Sequence, residues 1–264
     1  MSTATINPLS AAAPLYRPET GWPPLRACLM TILVLGVAAI LGLTFFLGIG
    51  SLVDPARNWF EDDAAMPQWV MLAGQLVMQT ASVLLIWWVA GWFRSDRRAA
   101  LALRPVPGGA STIAKAFLLL SVISGAFTIF ALTFASEDIL SDLAPMWPLM
   151  KGEFWWLMAL VAVIGAPLSE EIVFRGFLQS ALAKSPLGFW GAAIITNSAW
   201  TALHAGYTTT GLTDVFIAGL VFTWALWRTG SLWVPIICHG LYNGLIFAVL
   251  SVMDMPEGLP GLPA

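Results

Sequence analysis

Charge is what this chain has least of. Of 264 residues, 12 are Lys or Arg and 15 are Asp or Glu, a charged fraction of 10%, against about 25% in a soluble domain. So small a polar inventory cannot cover a water-facing surface, which excludes an ordinary soluble enzyme. There is no basic tract and no zinc-finger spacing, and the net charge is −3, so nucleic acid is excluded as a partner. Cysteine is scarce too: Cys28 and Cys238 both fall in apolar stretches, which gives no disulfide framework. Strand-like alternation is missing, which argues against a barrel. The first residues lack the basic, apolar and cleavage-site pattern of a signal peptide, so the first apolar run is expected to stay in the mature chain.

What the chain has in abundance is apolar length. Hydrophobic residues make up 58% and mean hydropathy is +0.80. A spanning helix needs about 20 apolar residues. The sequence predicts an all-α, polytopic transmembrane helix bundle of about seven spans (six to eight), with helices near 26–52, 67–93, 113–136, 153–183, 188–206, 212–228 and 231–253. Residues 1–24 form an N-terminal cytoplasmic tail and 25–136 the N-terminal transmembrane helices. Residues 150–253 form a second transmembrane unit, and 254–264 a Pro/Gly-rich C-terminal tail. The polar connection 137–152 has room for a surface helix.

The arginines and lysines orient this bundle, because cytoplasmic loops carry the excess of Lys and Arg. With the N-terminus inside, Arg17, Arg26, Arg94, Arg97, Arg98, Arg104, Lys115, Lys184 and Arg228 lie inside or at inner helix ends. Arg57 and Lys151 then lie outside, with Asp54, Glu61, Asp62, Asp63, Glu137, Asp138, Asp142 and Glu153. Many of the 14 tryptophans fall near the expected helix ends, where an interfacial belt would place them. The chain is expected to be a multi-pass protein of a prokaryotic cell (inner) membrane, with lipids as its surroundings.

Against that apolar background a few polar groups stand out. An ionisable group inside a membrane segment costs about 3 kcal/mol on insertion scales and is a functional hypothesis by default. "PLSEEIVFRGF" (167–177) places Glu170, Glu171 and Arg175 in one span. Glu171 and Arg175 are i and i+4, in the favourable orientation for a pair, and such a pair is most simply structural. Glu170 is turned about 100° away and is left facing something else. Gly165 and Pro167 just before it predict a kink that frees backbone groups. The only histidines, His204 and His239, are both in apolar helices, and Asn243 lies one turn after His239. A lone membrane histidine bonded to a carbonyl is a common packing solution, so each alone says little. Together, a carboxylate, two imidazoles and an amide suit water activation with oxyanion stabilisation. The set Glu170, His204 and His239 would equally suit zinc. Counted from the inner helix ends, Glu170 lies about 20 Å deep, His204 about 25 Å, His239 about 12 Å and Asn243 about 18 Å. His204 is the outlying member.

These residues form a pattern: E-E-x-x-x-R (Glu170, Glu171, Arg175), aromatic-x-x-x-H (Trp200, His204) and H-x-x-x-N (His239, Asn243). In that order, with the flanking "APLSEEIVFRGFL" and "TGSLWVPIICHGLYN", it resembles the CAAX-protease and bacteriocin-processing (CPBP, or Abi) family of intramembrane endopeptidases over about residues 150–250. Trp200 stands where the second motif usually has Phe. The resemblance implies a membrane-embedded protease acting on a membrane-associated protein or peptide. In it Glu170 and His204 activate the water, His239 and Asn243 stabilise the oxyanion, and Glu171, Arg175 and Trp200 support the site. It leaves open a metal-free glutamate scheme or a zinc metalloendopeptidase. Two other classes compete: a non-catalytic membrane immunity or scaffold protein, and a proton-coupled transporter using the same groups as a relay.

Overall fold

The computed structural model describes residues 9, 13–53, 67–94 and 96–254. Arg57, Asp54, Glu61, Asp62 and Asp63 of the expected outer loop lie outside the described residues. So do residues 1–8 and 10–12 of the N-terminal tail and 255–264 of the C-terminal tail. The described chain is helical and holds no strand. Its main elements are α1 (Pro24–Val53), α2 (Gln68–Ala90), α3 (Ala110–Phe134), α4 (Ser136–Leu143), α5 (Trp155–Leu182), α6 (Gly188–Ala202), α7 (Thr209–Thr229) and α8 (Trp233–Val252). Six of them, α1, α2, α3, α5, α7 and α8, are long and apolar enough to cross a membrane. Each of the seven helices expected from sequence has its counterpart. The exception in length is α6, whose 15 residues are extended by turns through Tyr207. The protein is a multi-pass integral membrane protein.

Side-chain size organises the bundle. Along α1 the buried residues are Ala27, Thr31, Val34, Ala38 and Gly42, spaced three or four apart on one face. The outer face carries exposed Leu25, Leu29, Ile32, Leu33 and Ile40. Between membrane helices the small residues face inward, because close backbone approach replaces the hydrophobic effect. At Gly42 a Cβ would lie 2.9 Å from the carbonyl oxygen of Gly74, so α1 and α2 meet backbone to backbone there.

Two sets of contacts define the ends. At one end Lys184 Nζ donates to Thr20 O at 2.6 Å, and Ser231 Oγ to Arg104 O at 2.7 Å. Arg104 also pairs with Glu19, and Tyr16 N donates to Trp227 O at 3.2 Å. At the other end Lys151 Nζ donates to Ser251 O at 2.7 Å, and the start of α7 is held by Asp142 of α4. The chain therefore traverses the bundle seven times, once through α6 and the turns after it. The residues just before α1 strap the first end. Trp22 is 2% exposed, donates to Val89 O at 2.8 Å and packs against Phe177. Tyr16 shares a 2.7 Å hydrogen bond with Ser180, and burial pushes its phenol up to about 12.

Around Pro167 the winding of α5 changes: it widens into π-helical turns over Leu160–Gly165 and again over Glu171–Gln179. In the first of these Ala166 N donates to Val161 O, five residues back. The next donor in that register is Pro167, which has no N–H, and its orphaned partner is Ala162 O. That carbonyl accepts from Asn243 Nδ2 at 2.8 Å. Gln79 on α2 supports the same turn, donating to Val161 O at 3.2 Å. One turn before Asn243, α8 presses against α5: a Cβ on Gly240 would lie 2.7 Å from Val163 O. Backbone cannot yield there, so Gly240→Ala is expected to lower stability by about 1–3 kcal/mol, read as the unfolding midpoint in detergent. An unchanged midpoint would show that the helices have slack at this contact.

Candidate active site

Four helices supply the polar residues, and they meet in the interior of the bundle. Glu171 and Arg175 of α5 are both fully buried and pair at 3.2 Å. A buried guanidinium must satisfy its remaining donors. Arg175 Nη2 reaches Asn197 Oδ1 at 2.9 Å and Gly219 O at 3.4 Å, and the guanidinium lies 4.2 Å from the Trp200 ring centroid. Gly219 is glycine by necessity, because a Cβ there would overlap Asn197 Oδ1 and crowd Arg175.

Glu170 points elsewhere, as its helical position requires. Its Oε2 accepts from Trp200 Nε1 at 2.6 Å and stands 4.0 Å from His239 Nε2, with its side chain 25% exposed. His239 lies between the two glutamates, since its Nδ1 meets Glu171 Oε1 at 3.0 Å. Its ring stacks on Phe222 at 4.8 Å and meets Trp200 edge-on. A carboxylate only accepts, so Nδ1 of His239 carries a proton and the free edge of the ring is Nε2.

His204 sits two residues beyond the end of α6, in the turns leading to α7. Its Nδ1 is 3.1 Å from Trp200 O. By the same reasoning the proton is on Nδ1, and a neutral ring presents Nε2 as an acceptor. The His204 ring packs edge-on against Trp200 at 5.2 Å. The Trp200 indole thus touches His204, His239, Arg175 and Glu170. Tyr207 also packs against His204, with ring centroids 5.6 Å apart.

The structure brings Glu170, His239, Glu171, Arg175 and Trp200 into one contact set. His204 joins it through Trp200, and Asn243 joins through Ala162 of α5, two turns before Glu170. One division drawn from sequence changes. Glu171 is not taken up by Arg175 alone, because the same oxygen also holds His239. Among the described residues, no three His, Cys, Asp or Glu side chains are disposed to hold a metal ion. Glu170, His204 and His239 are not a ligand set in this arrangement.

Sequence reasoning missed two buried groups. Asn197 accepts from Arg175 and donates to Phe216 O at 2.9 Å; an asparagine inside the apolar run of α6 was the available signal. Asp214 accepts from Tyr242 OH at 2.8 Å; it lies inside an expected span, and its charge should have been counted with the others.

Residues 152–245 match the family model described as Type II CAAX prenyl endopeptidase Rce1-like. These residues contain all three motifs. The resemblance read from the motifs over about 150–250 is borne out over that segment. Two curated bacterial proteins are also similar. One is the Escherichia coli "Uncharacterized 24.3 kDa protein", 33% identical over 85 residues, which are 31% of this chain and 39% of that protein. The other is the Bacillus subtilis (strain 168) "Putative membrane peptidase YdiL", 31% identical over 96 residues, 34% of this chain and 36% of that protein. The matched segments thus span well under half the length of these curated relatives. No solved structure matches the chain.

Proposed function

We propose that this protein is an intramembrane endopeptidase that hydrolyses a peptide bond in a membrane-associated protein or peptide, with a water activated by Glu170 and His204. The observation that carries this reading is the set around Trp200. Glu170, partly open to solvent, and His204 both contact one indole, while His239 and Asn243 come in from α8.

Glu170 or His204 takes a proton as the water oxygen attacks the carbonyl carbon. The carbonyl oxygen becomes an oxyanion, to which His239 Nε2–H and the second N–H of Asn243 Nδ2 donate. In this step His239 is protonated on both nitrogens and held by Glu171. The C–N bond then breaks, and the leaving amine receives the proton taken from water. Trp200 fixes the Glu170 carboxylate so that little reorganisation accompanies the reaction. The basic end, with Arg26, Arg104, Lys184 and Arg228, faces the cytoplasm of a bacterial cell membrane, and the acidic end with α4 faces outward.

The test is cleavage of peptide and membrane-anchored substrates by the purified protein in detergent. His204→Ala is expected to lower turnover about 100-fold, and full activity in that variant would overturn the mechanism. Because no three His, Cys, Asp or Glu side chains among the described residues are disposed to hold a metal ion, activity is expected to survive dialysis against a chelator. Loss on chelation with recovery on added zinc would instead assign those three residues as ligands. Retained membrane binding of a peptide without cleavage would favour the immunity or scaffold class. Proton-coupled uptake into vesicles would favour a transporter.

A further inference from the structure

His204 occupies an unusual place for a residue that must be held still. It lies past the end of α6, on successive turns from Trp200 to Tyr207, and Leu203, Ala205 and Gly206 beside it are exposed. What fixes this stretch at its far end is α4, an element outside the family match. Asp142 Oδ1 accepts from Thr208 N at 2.7 Å, and its Oδ2 accepts from Thr208 Oγ1 at 2.8 Å. Thr208 Oγ1 in turn accepts from Gly211 N and caps α7. A Cβ on Gly211 would collide with Asp142, so the carboxylate is seated against bare backbone. Beside it Asp138 accepts from Thr210 Oγ1 at 2.5 Å. One residue before Thr208, Tyr207 packs on the His204 ring and donates its N–H to His204 O at 2.8 Å.

We infer that Asp142 is a positioning residue for His204: its grip on Thr208 anchors the turns from 203 to 208 and so sets where the imidazole stands beside Trp200. The inference rests on the peptidase reading for its effect on turnover, but the geometry can be tested without it. The chain has two histidines, so a protein labelled with ¹³C at histidine gives two ring signals. The one from His204 is identified by its loss in His204→Ala.

Asp142→Ala is expected to shift or broaden the His204 signal and leave that of His239 in place. It should lower kcat roughly 10- to 100-fold, as small misplacements of reacting groups do, with KM little changed. Asp142→Asn keeps an acceptor for the Thr208 N–H and should recover most of the signal position and the turnover. Thr208→Val removes the hydroxyl contact to Asp142 and the cap to Gly211 N and keeps the bond from Thr208 N. It serves as the second variant, should Asp142→Ala fail to fold, with the same direction of change expected. An unmoved His204 signal with unchanged kcat overturns the proposal, and so does a lowered unfolding midpoint as the sole effect. If His204→Ala itself retains full activity, the peptidase mechanism fails, and the ring signals alone then judge the clamp.

Discussion

Glu170→Gln is expected to lower turnover about 10⁴-fold, at the upper end of what a general base contributes, while the protein stays folded. The amide keeps the shape of the carboxylate and can still accept from Trp200 Nε1, which the carboxylate meets at 2.6 Å. What it cannot do is take a proton from water. Because Glu170 is partly exposed and outside the buried pair, the unfolding midpoint should barely move. Glu170→Asp keeps the charge but withdraws it by about 1.5 Å, and it should recover little of the loss because reacting atoms must be placed to about 1 Å. A proton relay would tolerate that change better. Near-wild-type cleavage by Glu170→Gln would falsify the assignment of the base.

The opposite signature is expected five residues on. Arg175→Met should destabilise the protein by about 3–5 kcal/mol, the usual cost of leaving one member of a buried pair without its partner. The arginine is fully enclosed, and its loss strands both Glu171 and Asn197 Oδ1. Arg175→Lys should be nearly as harmful. A single ammonium cannot reach Glu171, Asn197 and the Gly219 carbonyl together while lying over the Trp200 ring. Glu171→Gln should show both phenotypes, a lowered midpoint from the stranded arginine and slower turnover from a His239 ring no longer held through Nδ1. Denaturant unfolding in detergent, run beside the cleavage assay, separates the two. An Arg175→Met protein with unchanged stability would mean that the enclosed charge is solvated in a way this packing does not show.

The helices were legible because lipid imposes a simple rule: apolar length alone marks a span, and the end charges mark its limits. The expected 188–206 helix shows the limit of that rule, since an apolar run can finish in turns rather than helix. The motif residues were legible as exceptions to the same rule, as His239 and Asn243 show. What sequence could not supply was winding. Counting Glu171 and Arg175 as one α-helical step gave the right neighbours for the wrong helix, because π winding widens α5 there. Pro167 announced a broken hydrogen bond but not its remedy, which is a side chain from a helix that follows some 70 residues later. Likewise nothing local in "ILSDLAP" (139–145) connects Asp142 to Thr208, since that contact exists only once α4 and α7 are folded together.

The strap formed by Tyr16, Thr20 and Trp22 bears on how the protein is made. Its partners are Ser180, Lys184 and Trp227, far downstream in the chain. During translation these first residues emerge at the start, yet the last of their docking places does not exist until the sixth crossing, α7, has been threaded into the bilayer. Before α5 is in place the Trp22 indole lacks Phe177, and before α7 is in place Tyr16 lacks Trp227. The order of synthesis therefore makes docking of the strap one of the last steps of assembly. Docking of Tyr16 on Trp227 marks a chain whose sixth crossing is in place.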